Sequence, residues 1–329
     1  KPLYYLNKKQ NIFFSSEAWF LYSVSEKKID ENCLDFYFNF GFTKEDRTLI
    51  QDVKKIPSNH VYKFSLNNFK LDKEKYFNLD GQKNFNNPSI EETRECVKNS
   101  IKRNLISDTK IGTFLSGGVD SSTITILAKK FNQNIESFTT VFLPEQKFKK
   151  FNLDFNFSKK ISHDFGIKLN TCFIEDNDQF FDDFLKVSKY LDEPVSNLNF
   201  LNTYWQTKLA KERNIKVILT GDGADEMFCG YDRYISAYFS SKFKLFKYFN
   251  KKIDFINNLK KNEIPYHYYS ILKDKGYQNS FRGNFNKSDI LNNNFFDEFK
   301  SESKIDLINY FDTRYWLVNE NNYKLDKCS

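Results

Sequence analysis

Two short stretches of this sequence concentrate residues able to do chemistry. The first, Ser116-Gly117-Gly118-Val119-Asp120-Ser121-Ser122, combines hydroxyls, glycines and a carboxylate. Glycine lets an anion approach the backbone closely, and a turn leading into a helix aims free N–H groups and the positive helix end at one point. A phosphate fits such a turn. The usual P-loop adds a lysine that reaches the terminal phosphates, and none stands here. Asp120 stands instead, and a carboxylate suits a phosphate that carries Mg²⁺, a hard cation that favours oxygen. The competing reading of the stretch alone is a Gly-Gly turn capped by Ser121.

The second stretch, Thr220-Gly221-Asp222-Gly223-Ala224-Asp225-Glu226, puts Asp222, Asp225 and Glu226 within five positions of one another. Carboxylates so close together repel, which favours cation binding or charge relay over packing. An acidic surface turn with an Asp N-cap is the alternative.

Chemistry of this kind needs rigid elements to aim it. Lys110 to Leu115 is a short, mostly apolar run that reads as a buried strand. Ile124, Leu127, Ala128 and Phe131 recur at helical spacing. The first stretch is therefore a strand-to-helix turn. The second follows the apolar run Ile215 to Leu219. Between them, strands at SFTTVFL and KLNTCFI alternate with helices ending at KKISHDFG, over DQFFDDFLKVSKYL and over YWQTKLAKERN, after an opening helix IEETRECVKNSIKRNL. In the DQFFDDFLKVSKYL helix, Phe180, Phe181, Phe184, Leu185 and Leu191 form the expected apolar side. The alternation predicts an α/β fold with a parallel sheet covered by helices on both faces and ligands at the carboxyl ends of its strands. Ahead of it, PLYYL with NIFFSS, and HVYKFSL with FKLDKEKYF across Asn67-Asn68, predict two antiparallel hairpins. Residues 81–89, GQKNFNNPS, read as the linker.

Composition removes other classes of function. The chain has 329 residues, enough for two cores, and 40% hydrophobic content. Its net charge of +7 is dispersed, with no basic stripe interleaved with stacking aromatics, so nucleic acid is not an expected partner. No apolar run approaches the ~20 residues of a membrane span, and no signal peptide opens the chain. The five cysteines, Cys33 in a predicted helix among them, lack any CxxC or zinc-like spacing, which suits a reduced cytoplasmic setting. His60, His163 and His267 are isolated and read as surface or core residues, not ligands. The chain opens at Lys1 and its sole methionine is Met227. It reads as a segment of a longer protein, cut at both ends.

SGGVDSS at 116–122 resembles the pyrophosphate-binding loop of the ATP pyrophosphatases, and GDGADEMFCGY at 221–231 resembles the second signature of the glutamine-hydrolysing asparagine synthetases. LDEPVSN at 191–197 is similar to the DEP segment of that family, and the closing DKCS to the start of its Asp-Arg-x-Ser-Met helix. KPLYYL and FSSEAWFLY resemble the closing hairpin of its glutaminase domain. This disfavours the tRNA-thiolating and NAD-making pyrophosphatases, which lack that domain. The resemblance implies that residues 1–84 end a class II glutamine amidotransferase domain of the N-terminal-nucleophile type. Residues 85–329 would form the adenine nucleotide alpha-hydrolase-like ATP-pyrophosphatase domain.

The implied reaction is ATP-dependent amide formation. Aspartate attacks the α phosphate, pyrophosphate leaves with Mg²⁺, and ammonia drawn from glutamine displaces AMP from the acyl-adenylate. By the same resemblance Ser116, Gly117, Gly118, Val119, Ser121 and Ser122 hold the pyrophosphate, and Asp120 and Asp225 hold the Mg²⁺. Leu115, Val141, Thr220 and Gly221 line the ATP site, and Asp222 relieves ammonia of a proton. The expected partners are these small molecules, with a homodimer left open and neither nucleic acid nor membrane expected.

The sequence departs from the family's pattern in places. Leu169-Asn170 stands where many members carry a histidine pair, and Asp222 replaces a more usual Glu. The glutamine-hydrolysing cysteine and the downstream catalytic lysine have no counterpart, so the segment by itself is expected to be inactive. An amide-forming relative acting on a sugar or antibiotic precursor, and a nucleotide-binding module without catalysis, stay open as alternatives.

Overall fold

Strand β1 (Tyr4–Lys8) pairs antiparallel with β2 (Asn11–Ser15) in the register Tyr4↔Ser15 to Lys8↔Asn11. The computed structural model describes residues 1–8, 11–68, 70–77, 88–144, 147–149, 152–175, 177–242, 263–269, 296, 299, 301 and 303–329. On its other side β1 pairs with β3 (Val53–Lys55), a third strand that the hairpin pattern did not announce. Helix α1 (Ala18–Val24) lays Ala18 and Leu21 on Tyr4, Leu6 and Val53. Helix α2 (Glu31–Phe40) starts where the Asp30 carboxylate accepts the Cys33 N–H at 3.1 Å and stops at Gly41, whose φ of 79° lets its N–H reach the Tyr37 carbonyl. The second expected hairpin is β4 (His60–Phe64) with β5 (Leu71–Lys75), joined through Asn67-Asn68. Residues 81–87 of the expected linker lie outside the described residues.

The chain divides into two compact units, Lys1–Lys83 with Leu191–Asn197 and Gly223–Tyr323, and Asn84–Tyr190 with Leu198–Asp222 and Lys324–Ser329. The second unit is α/β. Helix α3 (Ile90–Asn104) opens on a reciprocal capping box between Ser89 and Glu92. Next come β6 (Ile111–Phe114), α4 (Val119–Phe131), β7 (Glu136–Leu143), α5 (Leu153–Asp164), β8 (Lys168–Glu175), α6 (Asp178–Ser188), α7 (Asn199–Glu212) and β9 (Val217–Leu219). Every pairing in this sheet is parallel, in the order β8-β7-β6-β9.

Strand alternation sorts the side chains onto two covered faces. Ile111, Val217 and Leu219 pack with Ile101 of α3 and Ala128 of α4. Phe114, Ile218 and Phe138 pack with Leu209 and Ala210 of α7. Gly112 on β6 has no room for a side chain, since a Cβ would lie 2.9 Å from the Phe138 ring. Buried hydroxyls tie the layers, Thr125 donating to Thr113 at 2.9 Å and Thr113 meeting Ser137 at 2.7 Å.

One expectation needs correction. Helix α6 buries Asp183 and Val187, while Phe181 and Leu185 are exposed and Leu191 lies beyond its end. The reason is a long-range bond: Asp183 accepts the indole N–H of Trp205 at 2.8 Å. Leu169-Asn170 sits in the first half of β8, where Asn170 donates to Glu136 at 3.0 Å and to the Ser137 carbonyl. It is a strand-to-strand brace, level in register with Thr113 and Phe114 at the end of β6 and two strands away from the SGGVDSS turn.

The remainder of the first unit is helical among the described residues: α8 (Ala224–Phe228), α9 (Asp232–Lys242), and segments at Ile264–Tyr269 and Lys304–Phe311 that run into a π-helical stretch, Asp312–Asn321. Its core joins Phe36, Phe40 and Phe42 to Tyr234, Ile264, Leu307 and Phe311. The closing DKCS lies in a helix, Asn322–Cys328.

Candidate active site

The SGGVDSS turn occupies the carboxyl end of β6, as the strand-turn-helix pattern requires. Leu115 is fully buried; its N–H donates to Phe138 at 2.9 Å, and its carbonyl accepts the Ser158 hydroxyl of α5 at 2.9 Å. The two glycines then do different things. Gly117 has φ +91°, and a Cβ there would collide with the Asp154 carbonyl and lie 2.9 Å from Phe157 Cβ, so both conformation and packing exclude a side chain. Gly118 has φ −67°, and a Cβ there would meet only Ser116 Oγ at 3.5 Å. Its missing side chain is thus unnecessary for the fold and leaves the approach to the helix end open.

Gly118 is also the N-cap of α4, and no side chain caps this helix. The first-turn N–H groups of any helix lack intrahelical acceptors, which here means those of Val119, Asp120 and Ser121. The capped-turn reading required Ser121 to serve these donors. Its hydroxyl instead meets Ser116 Oγ at 2.8 Å and donates to the Gly118 carbonyl, while Ser122 donates to the same carbonyl at 2.6 Å. The hydroxyls shape the turn and leave these backbone donors without a side-chain cap. Val119 is 81% exposed and Asp120 half-buried.

Gly221 brings the two motifs together. A Cβ on it would lie 3.0 Å from the Ser121 nitrogen and 3.2 Å from Asp120 Cβ, so glycine is what allows the segment after β9 to lie flush on the start of α4. Thr220 follows β9 directly, and Val141, fully buried, stands on β7 three residues beyond the Phe114↔Phe138 pair. Asp222, the last residue of this segment in the α/β unit, is exposed.

Asp225 and Glu226 belong to the other unit, on α8. The three acids of the motif therefore divide by environment. Asp225 is half-buried, with its carboxylate seated against Gly230, where any Cβ would collide with it. Gly230 also donates its N–H to the Asp225 carbonyl at 2.9 Å, after Cys229 turns the chain at φ 58°. Glu226 is completely buried; Oε1 accepts Tyr231 and Asn321 at 2.8 Å each, and Oε2 has no hydrogen-bond partner among the described residues. Local sequence could not separate these roles, because Asn321 lies 95 residues away.

The DEP segment is likewise more than a motif. Glu193 is buried, accepting the Tyr22 hydroxyl and the Leu49 N–H, and burial pushes its carboxyl up to about 7 against the opposing pull of Lys55 and these donors. Lys55, buried and donating to Thr43 at 3.0 Å, is pushed below its ordinary value by the same desolvation. Nothing in the strand pattern marked Lys55 as internal.

Asp120 supplies the kind of oxygen ligand that Mg²⁺ takes, on the uncapped first turn of α4. No cluster of three His, Cys, Asp or Glu able to hold a metal occurs among the described residues. That donor set fits Mg²⁺, which usually takes one or two carboxylates and the oxygens of a phosphate.

The asparagine synthase family model matches residues 92–329, and that of the glutamine amidotransferase domain matches residues 1–77. Asparagine synthetase [glutamine-hydrolyzing] 1 of Bacillus subtilis is 29% identical over 71% of this chain and 36% of its own. Putative asparagine synthetase [glutamine-hydrolyzing] 2 of Methanocaldococcus jannaschii is 27% identical over 72% of this chain and 46% of its own. The chain thus spans less than half the length of these curated relatives. A solved structure, NH3-dependent NAD synthetase from Campylobacter jejuni, aligns with a TM-score of 0.35 at 16% identity over 70% of this chain and 97% of that one. A TM-score this low adds nothing to the topology described above.

Proposed function

This chain belongs to the asparagine synthase family, and on that premise we propose that it carries the nucleotide site of an enzyme converting aspartate, glutamine or ammonia, and ATP to asparagine, glutamate, AMP and pyrophosphate. Residues 85–329 would be the synthetase domain and residues 1–84 the end of a glutaminase domain, in a cytoplasmic protein. The observation that carries this reading is Gly221 lying flush on the uncapped start of α4, which unites both motifs around one set of backbone donors.

ATP would place its phosphates against the turn from Ser116 to Ser122, where the N–H groups of Val119 and Asp120 open α4, with its adenosine beside Leu115, Val141, Thr220 and Gly221. Attack by the aspartate carboxylate on the α phosphate forms the acyl-adenylate and breaks the bond to the β phosphate. Charge then accumulates on the departing pyrophosphate, where fixed donors stabilise it without reorganisation. Asp120 is the residue of the α/β unit that would hold Mg²⁺, which supplies neutralisation of that charge when bound. In the second step ammonia attacks the acyl carbon and AMP departs. Asp222, exposed at the end of the α/β segment, would take the proton that the nitrogen sheds.

Equilibrium binding to this chain tests the site. ATP is expected to bind only with Mg²⁺, and Asp120→Ala is expected to weaken it by removing a metal ligand. Gly118→Val is expected to abolish binding with the fold intact. Tight binding without Mg²⁺, unchanged in both variants, would sink the assignment.

A further inference from the structure

We propose that a cavity at the edge of the parallel sheet, on strand β8, binds a primary amine carried on an apolar body. The cavity has a volume of about 300 Å³ and lies between β8, α6 and α7, within the α/β unit. This approaches the lower end of small-ligand sites. Its apolar walls include Phe173, Phe180, Trp205 and Leu209.

The chemical signal is Asp183, which lines the cavity and is only 7% exposed. Its two oxygens accept Trp205 Nε1 at 2.8 Å and Gln179 Nε2 at 3.1 Å, both neutral donors. No ion pair reaches it among the described residues. Lys208, the cation on the lining, is exposed. Lys186, one turn along α6, is engaged with Tyr204, its ammonium 5.8 Å from that ring, and acts on Asp183 only through space, without an ion pair.

A buried carboxylate that no ion pair reaches is costly. An asparagine would accept the same indole N–H and exchange a bond with Gln179 at lower desolvation cost. The negative charge is therefore unused by the contacts that hold α6 to α7, yet each oxygen retains a free lone pair. An ammonium group would use it. Glu175 and Glu212 at the lining add to the negative field and outnumber Lys208. The aromatic walls suit the ligand's apolar part, and Trp205 can add a cation–π contribution.

Calorimetric titration of the whole chain with 2-phenylethylamine and with 2-phenylethanol, its neutral analogue, tests the proposal. Saturable binding of the amine and at least about tenfold weaker binding of the alcohol are expected, the scale of a charge-assisted hydrogen bond. Asp183→Asn should keep the melting temperature within a few degrees and lose the preference for the amine. Lys208→Ala should leave amine binding intact or tighten it. Equal affinity for amine and alcohol, no saturable binding of the amine, an undiminished amine preference in Asp183→Asn, or loss of binding in Lys208→Ala would each overturn it. The comparison of the two ligands on the unmodified chain decides the matter even if Asp183→Asn fails to fold.

Discussion

The turn at 116–122 and the core around Asp312 treat polar groups in opposite ways. In the turn, the hydroxyl bonds span at most five residues, and the ligand contacts proposed above are backbone donors at a helix end. In the core, Asp312 is fully buried and receives Arg233 through two bonds at 2.9 and 2.6 Å, Tyr234 at 2.5 Å and Tyr269 at 2.6 Å, partners 43 to 79 residues away. Arg233 is in turn stacked 3.8 Å from the Tyr231 ring centroid. A local polar site can lose one group and keep its fold. A buried charge network cannot, because each member neutralises another that water no longer reaches.

The contrast is open to measurement, and Asp312 gives the largest expected effect. Asp312→Ala removes the acceptor of half-buried Arg233 and of the Tyr234 and Tyr269 hydroxyls at once and should cost ~3–5 kcal/mol of unfolding free energy in urea. A cost below ~1 kcal/mol would erase the distinction drawn here.

Glu193 sharpens it through pH. Its folded value lies above the unfolded one, raised from 4.5 to about 7, so the native state holds a proton that the unfolded state has released between those values. Stability attributable to this group is therefore present below pH 4.5 and is lost as pH rises towards 7, by up to ~3 kcal/mol. Urea midpoints of the wild type and Glu193→Gln, followed from pH 4.5 to 7.5, should diverge with that slope. Parallel profiles would show that the carboxyl is ionised throughout.

Within the turn itself the two glycines should separate. Gly117→Ala meets both a positive φ and the α5 backbone and should cost about 2–3 kcal/mol. The smallest effect belongs to Gly118→Ala, with stability expected within ~0.5 kcal/mol of wild type, since its Cβ finds only a serine oxygen in ordinary contact. Its nucleotide affinity should nevertheless fall, measured by calorimetry with Mg²⁺-ATP. Reversal of this order would mean that the roles of the two positions had been exchanged.

Much of the α/β unit was legible in the sequence. The apolar stripe of Ile124, Leu127, Ala128 and Phe131 does face α3 and the sheet, and β7 and β8 run where their apolar stretches predicted. Both hairpins formed as read. Boundaries were less legible. Helix α7 begins at Asn199, five residues before the run YWQTKLAKERN, and α4 begins at Val119. Val119 is 81% exposed, so the first turn of α4 adds no buried apolar position that periodicity could mark.

The sequence by itself determined the glycines of the turn, the placement of Asp120 beside a helix start and the parallel alternation of strands and helices. These depend on neighbours within a few positions, where backbone stereochemistry and side-chain period leave a local imprint. Only the tertiary structure decided that Asp183 faces inward in place of Phe181, that Lys55 and Glu193 are internal, and that Asp222, Asp225 and Glu226 pass from exposed to fully buried along five residues. Whether a charge can be buried is settled by the donors that reach it, and those come from Trp205, Tyr22 and Asn321, at separations that no local pattern records.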